Sequence, residues 1–283
     1  MTPPSFALGG DLEVGRLAYG AMRITGEGIW GGPDDPAAAR DLLRHVVDSG
    51  VNLIDTADSY GPEVSENLIA EALSPYPDGL AIATKGGLER PGPGRWTPSC
   101  RPERLKRCCE ESLRRLGLER IELYQLHTVD PEVPIEDSVG ALAELQEEGK
   151  IHHIGLCNVG RTELDRAQQI APVVSVQNRY NVGDRQSESV LEACQESGLA
   201  FLPWFPLGSG ELAQAGGALD QVAQAHSATP GQVALAWLLQ HSPVTLPIPG
   251  TSSTAHFDEN LAAAQLELSD EDMAELDSVA APG

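Results

Sequence analysis

A unit recurs along this chain: a segment with apolar residues at helical spacing, a glycine, then an apolar run too short for a helix. Leu42, Leu43, Val46 and Val47 form such a face before Gly50 and VNLID, while Gly117 precedes LERIELYQLH, Gly149 precedes KIHHIGL and Gly198 precedes LAFLPW. Each glycine suits the left-handed residue that ends a helix, and each run beyond it reads as a strand buried on both faces. A helix start is equally legible at Asp35 before Pro36, an N-cap followed by proline at the first helical position.

The pattern predicts helices over 36–49, 64–73, 102–116, 137–148, 162–170, 186–197, 218–227 and 230–241, with two more over 254–264 and 270–278. Strands at 17–21, 80–84, 173–177 and 244–248 join the four that follow the glycines, making eight separated by helical segments. The alternation predicts an α/β fold, a (β/α)8 TIM barrel, although an open doubly wound sheet uses the same local units. Residues 5–20 alternate around Gly9, Gly10 and Asp11, which predicts an N-terminal β-hairpin, and the last two helices would be extra C-terminal ones. No shift in composition marks a linker, so residues 1–283 are expected to form a single domain.

Composition narrows the class. With 41% hydrophobic and 22% charged residues the chain reads as soluble and globular, and no apolar run approaches the roughly 18 residues that span a bilayer. A formal net charge of -23, from 42 acidic against 19 basic residues, disfavours nucleic acid and anionic membrane surfaces as partners. Lysine occurs only at 85, 106 and 150, so the acid excess fits either adaptation to high salt or a plain acidic surface on an arginine-preferring chain. Five cysteines with no paired framework and no C-x-x-C point to a reducing, cytoplasmic location, and the N-terminus lacks a secretion signal. Cys108 and Cys109 share a helical face with Leu105, Leu113 and Leu116, and Cys194 lies with Val190 and Leu191, so core packing is expected of them.

In a barrel the C-terminal strand ends form the active face. Read in order, those ends offer Asp55 with Tyr60, Lys85, His127, Cys157 with Asn158, Gln177, Trp204 and the segment 249–253. An acid, a phenol, an amine and an imidazole in one cleft point to proton transfer. An ammonium beside a phenol is expected to lower the tyrosine pKa from about 10, with Asp55 keeping Lys85 charged. Singly, Asp55 with Lys85 reads as a buried ion pair, Tyr60 as a loop aromatic and His127 as a core histidine; the set of four carries the functional reading. Asp58 is expected only to serve the loop.

Other chemistries find less support. A sugar-hydrolysing barrel needs two strand-end carboxylates at a working separation, and Asp55 is already matched to Lys85. No metal is expected: there is no H-x-H or H-E-x-x-H, and His152 and His153, adjacent on a strand, should face opposite sides and not share an ion. Neither G-x-G-x-x-G after the first strand nor G-x-x-x-x-G-K-[ST] is present. The rim segment PIPGTSSTAHFDEN does place Thr251, Ser252, Ser253 and Thr254 just before a helix, as an anion site or simply as its N-cap.

The segments LIDTADSYG, ATKGG, LYQLH, HIGLCN, VVSVQNRYN, FPLGSG and PIPGTSSTAHFDENLAAA together resemble the aldo-keto reductase superfamily over nearly the whole chain. GIWGGPDD and LPWFPLG make it similar to a bacterial branch of oxidoreductases akin to pyridoxal reductases. The resemblance implies a barrel that uses NADPH, sometimes NADH, to reduce a small-molecule aldehyde or ketone to an alcohol without metal. It casts Tyr60 as general acid, Lys85 and Asp55 as the pair that tunes it, and His127 as the group that orients the carbonyl. Cys157, Asn158 and Gln177 match positions at the nicotinamide carboxamide, Trp204 the aromatic that stacks on the ring, and Leu207, Gly208 and Ser209 the loop over the pyrophosphate. Thr251, Ser252, His256, Glu259 and Asn260 match the adenosine end, and the loops bearing Trp30 and Trp96 are expected to line the substrate pocket. Cys157 and Phe205 stand where serine is usual and His256 where arginine is frequent, and with no Lys or Arg over 249–260 a 2′-phosphate lacks its usual partner there. The same resemblance admits a cofactor-binding sensor barrel with little turnover.

Overall fold

The computed structural model describes residues 5–208 and 217–279. Strands β1 (Ser5–Leu8) and β2 (Leu12–Gly15) pair antiparallel with Leu8 opposite Leu12, as expected of the N-terminal segment. Seven parallel strands then build one sheet. Its spatial order follows the chain: β3 (Tyr19–Gly20), β4 (Leu53–Asp55), β5 (Ala81–Gly86), then β8 (Ile121–Leu126), β9 (Ile151–Cys157), β10 (Val173–Gln177) and β11 (Ala200–Phe201). Between β5 and β8 the chain expected to be a loop at 86–96 forms a second hairpin, β6 (Leu88–Gly92) with β7 (Arg95–Pro98). Strands β4 and β5 are buried at every residue, as strands covered on both faces must be.

The expected strand at 244–248 forms no regular ladder. It does bond to both edges of the sheet: Phe201 N donates to Val244 O at 2.8 Å and Leu246 N to Phe201 O at 2.8 Å, while Ala18 N reaches Pro247 O at 3.0 Å and Gly20 N reaches Pro249 O at 3.1 Å. Pro247 and Pro249 have no N–H, so toward β3 this segment only accepts, and half of a ladder is missing for that reason.

Helices α1 (Pro36–Asp48), α2 (Val64–Leu73), α3 (Pro102–Leu116), α4 (Ile135–Glu147), α5 (Arg161–Gln168), α6 (Glu188–Ser197), α7 (Ala218–Ala225) and α8 (Pro230–His241) alternate with the strands, and α9 (Thr254–Ala262) and α10 (Asp270–Asp277) follow. Asp35 caps α1 by accepting from Ala37 N and Ala38 N at 3.0 and 2.9 Å. Gly50, Gly117, Gly149 and Gly198 all have positive φ, as their helix-ending role requires. The ninth helix is shorter than expected because residues 263–265 tighten into a 3-10 turn.

Two apolar layers result. Leu8, Val14, Leu53, Ala81, Ala83, Leu123, Ala200 and Leu246 form one cluster, bringing the N-terminal hairpin together with strand residues. The larger clusters join the other strand face to the helices, with Ile154, Leu156, Val139 and Leu142 in one and Ile54, Leu42, Leu43 and Ile69 in another.

Candidate active site

Asp55 closes β4, Lys85 is the penultimate residue of β5, His127 follows β8, and Cys157 and Gln177 close β9 and β10. Parallel register brings these ends to one face. Backbone bonds hold the first residues beyond the strands: Thr56 N to Ala83 O at 2.8 Å, His127 N to Gly86 O at 2.9 Å and Asn158 N to Gln177 O at 3.0 Å. Tyr60 is set by a tight turn, its N–H bonded to Ala57 O at 3.2 Å. Gly61 follows with φ +97°, where a Cβ would fall 2.4 Å from Val64 Cβ, so the turn that aims Tyr60 leaves no room for a side chain.

The centre is a buried cation between an anion and a phenol. Lys85 Nζ donates to Asp55 Oδ2 at 2.6 Å, to Thr56 O at 2.8 Å and to Tyr60 Oη at 3.2 Å. The other Asp55 oxygen accepts from Gln125 Nε2 at 3.0 Å and Gln177 Nε2 at 2.8 Å, so the carboxylate is fully engaged. Burial alone would pull the Lys85 amine down, but the Asp55 carboxylate beside it raises it above its usual value, so it stays an ammonium.

Tyr60 departs from expectation. Burial pushes its hydroxyl up to about 12, against the pull of Lys85 and with Asp55 reinforcing it. The lysine therefore lowers a value that desolvation has already raised, and the phenol is a firmly protonated donor. Burial and the charges of Lys85 and Arg90 hold His127 well below the ordinary imidazole range, so it is neutral. Ser59 Oγ lies 3.3 Å from its Nδ1, which leaves Nε2 as the nitrogen without a hydrogen-bond partner among the described residues. The Tyr60 and His127 rings meet edge to face at 5.8 Å.

A cavity of about 520 Å³ opens over this centre, and Asp55, Tyr60, Trp96, His127, Asn158, Gln177, Trp204, Leu207 and Gly208 of the expected residues line it. Ser209 lies outside the described residues. Asn158 bonds at both ends, Nδ2 to His127 O at 3.0 Å and Oδ1 from Trp204 Nε1 at 2.9 Å. Gln177 commits its amide nitrogen to Asp55 Oδ1 at 2.8 Å and to Gln125 Oε1 at 3.3 Å, which leaves its carbonyl oxygen for a ligand. Cys157 is fully buried, does not line the cavity, and has its Sγ 3.6 Å from Gln125 Oε1.

Trp30 does not line the cavity either. Its backbone pairs with Gly61 and its ring lies 5.6 Å from the Arg90 guanidinium, so it braces the wall from behind while Ile29 faces inward. The residues expected at the adenosine end gather at the start of α9. Thr251 is buried with its carbonyl bonded by Tyr19 Oη at 2.6 Å, Ser252 and His256 are exposed, Asn260 is buried, and Glu259 accepts from Thr229 Oγ1 at 2.6 Å.

Several contributors escaped the sequence reading. Gln125 completes the Asp55 shell, and Ser59 supports His127. Arg23, beside Gly250, is the cationic residue among those lining the cavity. Arg90 stacks 3.6 Å from the Trp96 ring centroid and donates to the carbonyls of Ile29 and Ser59 at 2.9 Å, tying the second hairpin to two loops. Gln125 and Ser59 lie within the segments LYQLH and LIDTADSYG, but which distant side chains they meet is set only by how the chain packs. Asp58 proves to be buried, with one carboxylate oxygen unpartnered, and burial with the nearby Glu66 pushes it up to about 7.

The expectation for His152 and His153 fails. Their rings stack at 4.0 Å with 21° between planes, because the strand alternation sets only where the Cβ atoms point and both rings turn toward Asp11.

Comparison with known proteins follows the same lines. Residues 16–281 match the Aldo/keto reductase family. The chain is 50% identical to an uncharacterized oxidoreductase of Schizosaccharomyces pombe over 95% of its length and 87% of that protein's. It is 44% identical to the pyridoxine 4-dehydrogenase of Escherichia coli, covering 99% of each. Among solved structures, an aldo-keto reductase from Klebsiella pneumoniae in complex with NADPH matches with a TM-score of 0.82 at 26% identity, covering 99% of this chain and 95% of that one.

Proposed function

The chain belongs to the aldo/keto reductase family, and we propose that it reduces an aldehyde or ketone to the alcohol with NADPH, NADH being the second choice. The fold that carries this is a single-domain (β/α)8 barrel, with the segment 244–249 as eighth strand between β11 and β3, a reading supported by its bonds to both. The observation that carries the chemistry is Lys85 Nζ, held between Asp55 Oδ2 at 2.6 Å and Tyr60 Oη at 3.2 Å beneath an open cavity.

The residues present fit a nicotinamide cofactor. Trp204 and Leu207 give the cavity an apolar wall, Gln177 retains a carbonyl oxygen for an amide, and Arg23 supplies a positive charge. When bound, the cofactor supplies hydride to the carbonyl carbon. Everything else falls to the chain. Tyr60 donates its hydroxyl proton to the carbonyl oxygen, and the ammonium of Lys85 stabilises the phenolate left behind. Asp55 keeps Lys85 charged and fixed, so this stabilisation is in place before reaction. Neutral His127 donates a hydrogen bond to the carbonyl oxygen without competing for the proton. Trp96, stacked on Arg90, lines the same cavity as Trp204 and Leu207 and offers an apolar surface against which an aromatic aldehyde fits.

The substrate we favour is an aromatic or heteroaromatic aldehyde, with pyridoxal as the first probe, supported by the 44% identity to a pyridoxine 4-dehydrogenase and by Trp96 at the cavity. A reducing cytosol as location is supported by five cysteines that are all free and buried. Tyr60→Phe tests the reading. It should lower turnover on an aldehyde panel by about 10²–10⁴-fold while NADPH still quenches tryptophan fluorescence; near-normal turnover would remove Tyr60 from its role.

A further inference from the structure

Asp11, His152 and His153 place three ligand atoms within 4.8 Å of one another, at the opposite ends of the strands from Tyr60. His153 Nε2 lies 2.7 Å from Asp11 Oδ1 and His152 Nε2 lies 3.1 Å from Asp11 Oδ2, so both imidazoles present the same nitrogen to one carboxylate. We propose that this cluster is a divalent transition-metal site, with zinc as its ion, joining the N-terminal hairpin to the start of β9.

The donor set is chemically apt. Two imidazoles and one carboxylate are a common three-ligand set for Zn²⁺, which binds such atoms at about 2.0–2.2 Å and takes a fourth ligand from water. Adjacent corners of a tetrahedron of that size lie about 3.3–3.6 Å apart, against the observed 2.7 and 3.1 Å, so the two rings draw back by several tenths of an ångström to admit the ion. Asp11 has a side chain 57% exposed, which leaves water free to reach the open position. The site is empty.

Two features go beyond a salt bridge. Glu122 Oε2 lies 2.9 Å from His152 Nδ1, which fixes the proton on that nitrogen and leaves Nε2 as the lone-pair donor, the arrangement that outer carboxylates impose on metal-bound histidines. Arg120 Nη2 donates to Glu122 Oε1 at 3.0 Å and to Oε2 at 3.3 Å, so the carboxylate is held at both oxygens. The hairpin is also shaped around the site. Gly9 has φ +65°, and a Cβ there would lie 2.2 Å from His153 Cε1, so the turn carrying Asp11 closes over the ring only because residue 9 has no side chain. The formal charge of -23 further favours a cation anywhere on this surface.

An ion here would cross-link the hairpin, whose Leu8 and Val14 are fully buried, to β8 and β9, and so would stabilise the fold and not the reaction. The test uses the full chain freed of metal by chelation and titrated with ZnCl₂ by calorimetry and thermal melting. We expect one equivalent bound and a Tm rise of roughly 5 °C at 100 times the Kd, with aldehyde turnover unchanged. Asp11→Asn and His152→Gln, both at exposed or half-exposed positions where folding is not at stake, should each abolish the rise. Glu122→Gln should weaken binding by about 10–100-fold, which a site without the oriented histidine would not show. His45→Ala, at the separate surface pair with Asp258, should bind as before. Failure to bind zinc, or binding that survives Asp11→Asn and His152→Gln, overturns the proposal.

Discussion

Lys85 Nζ lies 3.2 Å from Tyr60 Oη and 2.6 Å from Asp55 Oδ2, with no exposure to solvent. A charge so placed cannot be exchanged for an apolar chain of similar shape without stranding its partner. Lys85→Met should therefore do two things. Turnover should fall by at least about 10²-fold as the phenolate loses its counter-charge, and stability should drop by about 3–5 kcal/mol as the Asp55 carboxylate is left buried and unpaired. Steady-state kinetics and chemical denaturation read the two separately; the double change Lys85→Met with Asp55→Asn should recover stability but not turnover.

His127 stays neutral because burial and two neighbouring cations oppose its protonation. The prediction is a kcat/KM that shows no inflection near pH 6.5, where an ordinary imidazole titrates. A pH profile between 5.5 and 8, chosen to bracket that value, checks it. An acidic limb there that disappears in His127→Gln would show that the imidazole titrates after all.

Arg90 stacks on Trp96 and holds the carbonyls of Ile29 and Ser59. A partly exposed cation–π contact is worth about 0.5–1 kcal/mol, so Arg90→Ala should raise KM for an aromatic aldehyde by roughly two- to fivefold with a smaller effect on kcat. Arg90→Lys should recover little, because an ammonium reproduces neither the planar stack nor the fork of donors. Kinetics on one aromatic and one aliphatic aldehyde decide it, since only the first should suffer fully.

Asp58 carries the opposite kind of strain. Its folded pKa is raised to about 7 from an ordinary 3.8, so the folded state binds the proton more tightly than the unfolded chain. The stability it contributes is complete below about pH 4 and is lost as pH rises through about 7. Asp58→Asn removes that loss. Relative to the unmodified protein, the variant should gain stability progressively from pH 4 to pH 7 and hold the gain at pH 8, by up to a few kcal/mol. Urea melts across that range measure it; a flat difference would mean that Asp58 is not titrating in the fold.

What could be read along the chain was whatever local physics determines. Apolar runs buried on both faces, Asp35 before Pro36 and the four cap glycines are signals within a few residues, and they located the helices to within two residues and the strands that follow the cap glycines to within three. The segment at 244–248 was recognisable as apolar, but its irregular pairing follows from Pro247 and Pro249 facing a strand more than two hundred residues away. Asp55, Tyr60, Lys85 and His127 were visible because strand ends share a face in a parallel sheet, so position on the strand implies position in space.

The remaining features needed the tertiary structure, because they are properties of environments. Whether Lys85 or desolvation wins at Tyr60 depends on burial, and burial wins. That Gln125 completes the Asp55 shell, or that Trp96 rather than Trp30 lines the cavity, depends on which distant segments pack together. The adjacent histidines make the point most sharply. Alternation along a strand determines the direction of a Cα–Cβ bond, but an imidazole reaches well beyond its Cβ, and the hairpin carrying Asp11 decides where both rings turn. Backbone geometry is local and legible in the residues themselves; the field and the neighbours that each side chain meets exist only once the chain has closed around it.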